Sequence, residues 1–391
     1  MDYSFDNLIV RKDTDSYKWD FLPFPSGRAD LIPMWVADMD FLSPPQITEA
    51  LKKRAAHGVF GYTLRSESYI KSVFNWISNQ YLWSIEPDWL SFCPPGVIPA
   101  IYALITLKTN PGDAIIVQEP AYGPLRDIIV KSGRSVFENP LILKEGKYSL
   151  DLEQIEQKID SSTRMMIFCN PHNPTGRVWT RDELESLGSI CLKYGIFAVS
   201  DDVHADIHYQ GHPYIPLGSI SPELANLTAT CYSPGKTFNI GGLQTSSLVI
   251  PDLKTRKDYE QVMEMFQMRL DNLFSAAALE AGYTHGKQWL SRLMAYLEEN
   301  RQYLLEFIAH NIPGIQVIKP QGTFLVWLDF RGLNLKATSL REFMLEKVGV
   351  IPSFGDEYGK TGEGFIRLNI ACPKITLETA LHRLEKAVKN I

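Results

Sequence analysis

The chain has 391 residues, of which 45% are hydrophobic and 21% are charged. This length and composition are typical of a globular protein with a large buried core and roughly two domains. The formal net charge is −6, and acidic and basic residues are interspersed without a basic stripe. Nucleic acids and anionic membrane surfaces are therefore not expected as partners, and a small molecule is favoured.

Cysteine usage and the N-terminal segment predict a cytoplasmic protein. The five cysteines are scattered and form no CxxC pair, which favours reduced thiols and disfavours a zinc site. The segment MDYSFDNLIVRKDTDSYKWDF lacks the basic-then-apolar pattern of a signal peptide. No stretch approaches the roughly 20 apolar residues that span a bilayer, so we expect neither secretion nor membrane insertion.

Short β-branched runs alternate with helical patterns from about residue 90 to 250, which predicts βα units around a mostly parallel sheet. One predicted helix begins after Thr180, with Glu183 completing a capping box, and ends at Gly195. An earlier helix is predicted to have Ser43 as its N-cap. The predicted strands are AIIVQ (114–118), RMMIFCN (164–170), GIFAVSD (195–201), LTATCYS (227–233) and SSLVIP (246–251).

A second group of elements follows residue 285. It comprises an amphipathic helix ending near Pro313, strands at 323–330 and 364–371, and helices at 338–348 and 376–389. We therefore predict an α/β protein with a large domain over residues 46–285. Residues 1–45 and 286–391 are predicted to form a smaller α+β domain.

The segment CYSPGKTFNIGGLQTSSLVIP, residues 231–251, places Lys236 in a turn before an apolar strand. Because burying an unpaired ammonium is costly, this position favours an amine that loses its proton and forms a Schiff base. Ser233 and the backbone near Gly235 offer phosphate ligands, which indicates pyridoxal 5'-phosphate (PLP) as the carbonyl partner. An ordinary surface-loop lysine is the alternative. A nucleotide P-loop is rejected, because Thr230 stands where that motif needs glycine.

The segment SDDVHADIH places Asp201 at the end of a predicted strand, where ligands gather in α/β sheets. A carboxylate there would keep a pyridine nitrogen protonated. His204 is predicted to lie beneath or beside the cofactor ring, with a structural histidine as the alternative. The rival interpretation is a metal site built from Asp202, His204, Asp206 and His208. Their period-two spacing would require all these side chains on one face.

Three turns supply further candidates. In FCPPGVIPAIYALITLK, the first amides of a helix, near Gly96, Val97 and Ile98, could receive a phosphate. Tyr122, in EPAYGP, could stack on a planar ring or be an ordinary packing residue. Asn173, in NPHNPTGRVW, could donate a hydrogen bond to a ring oxygen or a substrate carboxylate, or simply form the turn.

Arg367 lies inside the apolar segment GFIRLNIA. A guanidinium embedded in a strand needs an anion, and a substrate carboxylate matches its paired N–H groups. An internal Asp or Glu partner is the alternative.

Taken together, PPGV, EPAY, NPHNPTG, SDDVH, SPGK and RLNIACP resemble, in order and spacing, fold-type I PLP enzymes of the class I/II aminotransferase family. The resemblance covers nearly the whole chain. It implies a mostly parallel seven-stranded sheet flanked by helices, plus the smaller domain. The implied roles are Lys236 as Schiff-base lysine, Asp201 as pyridinium partner, Asn173 as ring-hydroxyl ligand, Tyr122 as stacking and catalytic residue, Ser233 and the Gly96 turn as phosphate ligands, and Arg367 as substrate-carboxylate clamp.

Within this family, PMWVADMDF and HGVFGYT are similar to the cystathionine β-lyase, or cysteine-S-conjugate β-lyase, branch. Many aminotransferases carry a phosphate-binding arginine eight residues past the lysine, where this chain has Gln244, as the lyase branch also lacks that arginine. Gly235, where serine is common, is a smaller departure. The tyrosine of relatives that matches Tyr62 binds cofactor and substrate across a dimer interface, so the resemblance implies a homodimer.

The resemblance implies α,β-elimination. Lys236 would remove the Cα proton as general base, and a thiolate would leave from Cβ. Cystathionine or another S-substituted L-cysteine would yield a thiol, such as homocysteine, together with pyruvate and ammonia. One alternative is a PLP-dependent aminotransferase of neutral or aromatic amino acids. Another is a PLP-containing regulatory protein with residual lyase activity.

Overall fold

The computed structural model describes residues 3–391 except residues 22, 25, 27, 334 and 336. The strands are β1 (Ile32–Pro33), β2 (Leu90–Cys93), β3 (Ala114–Glu119), β4 (Ser135–Pro140), β5 (Ile142–Lys144), β6 (Lys147–Ser149), β7 (Thr163–Cys169), β8 (Phe197–Asp201), β9 (Thr228–Tyr232), β10 (Ser246–Val249), β11 (Gln316–Ile318), β12 (Leu325–Asp329), β13 (Val350–Ile351), β14 (Ser353–Phe354) and β15 (Phe365–Asn369). The helices are α1 (Pro45–Ala56), α2 (Glu67–Gln80), α3 (Val97–Lys108), α4 (Gly123–Lys131), α5 (Leu152–Lys158), α6 (Arg181–Tyr194), α7 (Pro222–Ala225), α8 (Pro234–Thr237), α9 (Leu253–Met265), α10 (Leu273–His285), α11 (Lys287–Asn311), α12 (Ala337–Glu342) and α13 (Lys374–Val388).

The central sheet has seven strands in the order β2-β10-β9-β8-β7-β3-β4. Strands β9, β8, β7, β3 and β4 are parallel, and β10 runs antiparallel to both of its neighbours. Alternate residues of β3 pack into different apolar clusters, with Ile115 and Val117 in one and Ile116 in the other. Both faces of the sheet are therefore buried, as parallel sheets require, and the predicted seven-stranded fold is confirmed.

Helix α6 has the capping box expected from its sequence. The Thr180 hydroxyl accepts from the Glu183 amide, the Glu183 carboxylate accepts from the Thr180 amide, and Gly195 ends the helix at φ 66°. The predicted N-cap of α1 is wrong by one residue. Pro44 occupies that position because a residue before proline, here Pro45, is held out of the helical region. Ser43 instead donates its hydroxyl to the backbone oxygen of Asn239 at 3.2 Å.

A second, antiparallel sheet has the order β11-β12-β15-β14. The N-terminal segment joins this part of the molecule through parallel pairing of β1 with β13. The apolar face of α11, including Leu293, Leu297 and Leu304, packs into the same cluster as Leu325 and Leu368 of the sheet. These contacts bring β15 and the N-terminal segment next to the strand ends of the central sheet.

Helix α11 is 25 residues long, but charged residues occupy its outer face. Across the residues that the structure describes, no helix combines the length and the apolar character that a bilayer span requires.

Candidate active site

Lys236 lies in α8, directly after β9 and the N-capping residue Ser233. Its Nζ donates a hydrogen bond to the backbone oxygen of Ala37 at 2.7 Å. Burial disfavours the charged ammonium and Arg367 adds repulsion, so the pKa of Lys236 falls from 10.5 to about 8. Near neutral pH a useful fraction of this amine is therefore unprotonated, which is the state that a nucleophile or a general base needs.

Lys236 lines a cavity of about 340 Å³, a volume typical of small-molecule sites. The cavity lies where the carboxyl ends of β7 and β8 meet the N-terminal segment and strands β14 and β15. Its predicted members are Tyr122, Asn173, Asp201, His204, Lys236 and Arg367. Folding thus brings side chains from five separate segments of the chain to one site.

Asp201 is the last residue of β8 and is 7% exposed. Its Oδ1 has no hydrogen-bond partner among the described residues. Burial raises the pKa of this carboxyl to about 6, opposed by the backbone amide of Val203 and the charge of Lys236. Because a buried acceptor without a partner is costly, this oxygen is arranged to bind a donor on a ligand.

His204 is buried and packs edge-on against Phe324, with ring centroids 5.7 Å apart. Its Nδ1 also lacks a partner among the residues described. Burial, with the positive charges of Lys236 and Arg367, lowers the pKa of His204 well below 6.5. The neutral imidazole is therefore suited to packing against a ligand ring and accepting or donating a hydrogen bond there.

Arg367 lies in the middle of β15, and its side chain is buried. The guanidinium donates to Asn173 Oδ1 at 2.9 Å, to the backbone oxygen of Trp35 at 2.6 Å and to Ser353 Oγ at 3.0 Å. These acceptors are all uncharged, and Nε has no partner among the described residues. The positive charge of Arg367 is thus left to face the cavity, where an external carboxylate can neutralise it.

The predicted phosphate ligand Ser233 lies beside the 340 Å³ cavity but does not line it. Its hydroxyl donates to the backbone oxygen of Thr245 at 2.7 Å and accepts from the amide of Gly235 at 3.1 Å. The Oγ1 of Thr245 is buried without a partner among the described residues. Thr245, which the sequence motifs did not single out, is therefore an additional polar group at this end of the site.

The other predicted phosphate ligands form the N-terminus of α3. Gly96 is its N-cap, with φ 109°, a conformation that favours glycine, and the first helical amides at Val97 and Ile98 have no acceptor within the helix. The preceding turn lines a second cavity, of about 620 Å³, which also includes Gln244. The turn before α3 thus shares this cavity with the segment that follows the Lys236 turn.

Tyr122 and Tyr62 differ in placement. Tyr122 is the N-cap of α4 and lines the cavity, and burial raises the pKa of its phenol. Tyr62 is 97% exposed and lines neither the 340 Å³ cavity nor the 620 Å³ cavity. The family resemblance implies that Tyr62 reaches the site of a second subunit, and that role stays a prediction.

The segment considered as a metal site forms structural hydrogen bonds instead. Asp202 accepts from Ser200 at 2.6 Å and from the phenol of Tyr214, while Asp206 accepts from Thr237 at 2.6 Å. Asp206 also accepts from the indole of a buried tryptophan. Within the described ranges, no group of three or more His, Cys, Asp or Glu side chains has an arrangement that could hold a metal ion.

The cavity also contains residues to which sequence reasoning assigned no role: Tyr17, Trp35, Ala37, Ser353, Glu357 and Tyr358. PMWVADMDF carried a signal for two of them, because this motif was similar to the lyase branch. Ser353 and Tyr358 lie in short elements without a distinctive pattern. Only the packing of β14 beside β15 brings them to the site.

Comparisons with known proteins agree with this geometry. Residues 29–384 match the family described as aminotransferase class I and II. Cystathionine beta-lyase PatB of Bacillus subtilis (strain 168) is 40% identical over 386 residues, covering 98% of this chain and 100% of the relative. The crystal structure of cystalysin from Treponema denticola, which contains a PLP cofactor, has a TM-score of 0.95 at 34% identity, covering 100% of both chains.

A third similar protein is the PLP-bound C-S lyase of Staphylococcus hominis complexed with L-cycloserine. It has a TM-score of 0.92 at 30% identity, covering 99% of this chain and 98% of that chain. The family predicted from the ordered motifs is therefore confirmed. Given the match over residues 29–384 and the extended identity with PatB, this chain belongs to the aminotransferase class I and II family.

Proposed function

We propose that this protein is a PLP-dependent carbon–sulfur β-lyase. It cleaves cystathionine or a related S-substituted L-cysteine to a thiol, pyruvate and ammonia. The relatives named cystathionine beta-lyase and C-S lyase support this assignment, since they cover 98–99% of the chain. The departure at Gln244, where many aminotransferases have arginine, favours a lyase over an aminotransferase.

The observation that carries the proposal is a pair of cations with different tasks in one cavity. Lys236 is half-buried, and its lowered pKa makes an amine that can exchange protons near neutral pH. Arg367 donates its hydrogen bonds to neutral acceptors among the described residues, so its guanidinium can hold a substrate carboxylate. A base and an anion clamp at fixed separation suit removal of the Cα proton from an amino acid.

The residues of the site fit PLP. Asp201 offers a buried carboxylate oxygen without a partner, which a protonated pyridine nitrogen would satisfy. His204 and Tyr122 provide rings on the cavity lining, and Asn173 provides an amide. The amides at the start of α3 and the hydroxyls near Ser233 are suited to the phosphate. Lys236 supplies the amine that bonds to the cofactor aldehyde.

The side chains then divide the reaction between them. When bound, PLP supplies an electron-withdrawing ring that stabilises negative charge at Cα. Once the substrate amine has replaced Lys236 on the cofactor, the freed Nζ would accept the Cα proton, and Arg367 would orient the substrate by its α-carboxylate. Asp201, as a carboxylate, would hold a proton on the ring nitrogen. The Cβ–S bond breaks with both electrons on sulfur, and the remaining 2-aminoacrylate takes up water to give pyruvate and ammonia.

Pyruvate release tests the proposal. The purified holoenzyme is incubated with cystathionine, and pyruvate and homocysteine are measured without any 2-oxo acid. We expect both products in equal amounts. If turnover instead requires 2-oxoglutarate and leaves the cofactor as pyridoxamine phosphate, the protein is an aminotransferase. If neither reaction occurs with the loaded protein, a regulatory role is favoured over catalysis.

We further propose that the protein is a homodimer in which Tyr62 reaches the active site of the partner subunit. The loop around Tyr62 exposes Val59, Phe60 and Leu64, each by 60% or more, which is costly unless another surface covers it. The ring of Phe60 lies 6.0 Å from that of Phe274, which extends the apolar surface to the 620 Å³ cavity.

Mixing two inactive variants tests this arrangement. In a hybrid of Lys236→Ala and Tyr62→Ala chains, an active site built from both subunits would carry both defects in one site and neither in the other. We expect activity to return on mixing, with sedimentation showing a dimer. If the mixture stays inactive although hybrid dimers form, Tyr62 does not act across an interface.

The predicted domain division also becomes a proposal. We infer a large domain over residues 46–285 and a smaller one formed by residues 1–45 and 286–391. Pairing of β1 with β13, and the hydrogen bond from Arg383 to the Asp30 backbone oxygen at 2.8 Å, support placing the N-terminal segment with the C-terminal part. Hydrogen exchange should show both segments opening together, and independent opening would contradict the division.

A cytoplasmic location is proposed on the state of the cysteines. All five are free thiols and are buried. Reduced, unpaired cysteines are typical of the cytosol. Cell fractionation with an antibody to the protein would test this, and recovery in a secreted or membrane fraction would contradict it.

A further inference from the structure

An aromatic stack stands at the mouth of the 340 Å³ cavity. Tyr17 lines the cavity and stacks on Phe21, with centroids 5.1 Å apart and ring planes 9° apart. Both rings are exposed, by 64% and 48%. Trp35, which also lines the cavity, packs on Tyr17 at 5.2 Å. These three residues, here called the aromatic gate, present apolar surface that a ligand leaving the cavity would contact.

The aromatic gate is held in place by a network of buried and partly buried ion pairs. Lys18, next to Tyr17, is 1% exposed and pairs with Asp40 at 2.7 Å. Its backbone oxygen accepts from the indole of Trp35 at 3.3 Å. Arg11 pairs with Asp38 at 2.6 Å and with Asp40 at 2.7 Å. Removing any one of these charges would leave its partners uncompensated, so the turn that carries Tyr17 is fixed before a ligand arrives.

The charges of the cavity disfavour a second carboxylate on the ligand. Among the described residues that line it, the cations are Lys236 and Arg367, which the proposed reaction already uses. Glu357 lines the same cavity and is an acid. The nearby Arg341 is paired with Asp356 at 3.2 Å. A carboxylate at the far end of an S-substituent would therefore meet an acid and, among the described residues that line the cavity, no cation beyond the two that the reaction uses.

We propose that the aromatic gate binds the S-substituent of the substrate, and that the enzyme prefers uncharged alkyl or aryl thioethers of L-cysteine over those ending in a carboxylate. This inference rests on the proposed lyase function and narrows its substrate class. Cystathionine, whose distal end is itself an amino acid, is then a poorer substrate than an apolar S-conjugate of similar length.

Two matched substrates test the charge component. The holoenzyme is assayed with S-propyl-L-cysteine and S-(2-carboxyethyl)-L-cysteine, with S-benzyl-L-cysteine and cystathionine alongside, by release of thiol and pyruvate. We expect kcat/KM for the propyl compound to exceed that for the carboxyethyl compound by about tenfold or more, since like charges brought together cost energy. Glu357→Gln should reduce this ratio.

Three variants test the aromatic component. Tyr17→Ala and Phe21→Ala should each lower the ratio of kcat/KM for S-benzyl- to S-methyl-L-cysteine by about three- to tenfold, the range expected for one aromatic contact. Tyr194→Ala removes a ring on α6 that is 37% exposed and does not line the 340 Å³ cavity, and this change should leave that ratio unchanged. Calorimetric binding of the propyl and carboxyethyl compounds to Lys236→Ala protein gives the same preference without turnover.

The outcomes separate the two proposals. No pyruvate from any of these compounds would reject the lyase function itself. Pyruvate from all of them, with the carboxyethyl compound equal to or better than the propyl compound, would reject only the substrate preference. A uniform loss with Tyr17→Ala on every substrate, or a changed sedimentation coefficient, would show that the ring serves folding or assembly and would overturn its role in specificity.

Discussion

The two sides of the cavity satisfy their polar groups differently. One side, the strand-end wall, consists of Asn173, Asp201, His204 and Lys236. The other side is called the N-terminal wall after Trp35 and Ala37, and it also includes Ser353 and Arg367 from β14 and β15. On the strand-end wall, Asp201 Oδ1 and His204 Nδ1 have no partner among the described residues. On the N-terminal wall, Arg367 donates to the Trp35 backbone and to Ser353, and Ser353 also donates to Trp35, although Arg367 Nε has no partner among the described residues.

This difference indicates what each wall is for. Unmet hydrogen-bonding groups are costly unless a resident ligand completes them, which fits a wall that holds a cofactor. Groups already bonded to one another are rigid, which fits a wall that orients a transient substrate. Lys236 connects the two, because its Nζ belongs to the strand-end wall and donates to Ala37 on the other. Bonding to the cofactor would release that contact.

The largest effect is expected from a substitution of Lys236, which connects the two walls. Lys236→Ala removes both the bond to the cofactor and the base, so pyruvate release should fall by about 10³-fold, within the range of general base catalysis. Borohydride should trap cofactor on the peptide containing Lys236 in the wild type and not in the variant. Lys193→Ala, which removes an exposed lysine paired with Glu156, is the control and should leave both pyruvate release and the trapped adduct unchanged. A borohydride-trapped adduct on any other peptide would contradict the role of Lys236 as the residue that connects the two walls.

The N-terminal wall is tested by Arg367→Lys. A lysine keeps the charge but loses the paired geometry, so KM should rise by about ten- to hundredfold, the value of one charged hydrogen bond. The absorbance of the bound cofactor should change little, because that wall faces the substrate. Arg331→Lys, at an exposed arginine near the same sheet, is the control. If Arg367→Lys instead loses much of its cofactor while its KM stays unchanged, the wall that contains Arg367 holds the cofactor and not the substrate.

Substitutions of two adjacent aspartates test whether the strand-end wall contacts the cofactor. Asp201→Asn should weaken protonation of the cofactor ring and lower kcat by about tenfold, if one pKa unit of coupling is lost. Asp202→Asn is the matched control, since that residue is also buried but bonded to Ser200 and Tyr214. The cofactor spectrum should shift only for the first variant. Equal effects from both would mean that burial, and not contact with the ring, explains Asp201.

The smallest effect concerns the stability of the cofactor-free protein. The pKa of Lys236 is about 8 when folded, against an ordinary 10.5. Between these values the unfolded chain keeps a proton that the folded chain has lost, so stability rises with pH across this window and falls as pH drops toward 8. Urea unfolding should show Lys236→Met more stable than wild type at pH 7.5, by about 1 kcal/mol or more, with the gap closing by pH 10. A gap independent of pH would show that burial does not shift this amine.

Local patterns predicted the inner strands of the seven-stranded and four-stranded sheets and several of the longer helices. The strand predicted at 114–118 spans Ala114–Glu119, and the helix with a capping box spans Arg181–Tyr194. The error at Ser43 came from consecutive prolines, whose steric effect moves the helix start by one residue. The candidate residues at strand ends were also accessible to sequence reasoning, because parallel strands end at a common edge.

The ordered motifs of the chain were thus enough for the family and, through the family resemblance, for the seven-stranded sheet, since such motifs act over a few residues; that Lys236 is the reactive lysine stays a prediction. Tertiary structure alone decided which neighbours those residues meet. Lys236 reaches Ala37 across 199 positions and Arg367 reaches Trp35 across 332. Such contacts, the lowered pKa and the aromatic gate depend on burial and packing of distant segments, which no local pattern encodes.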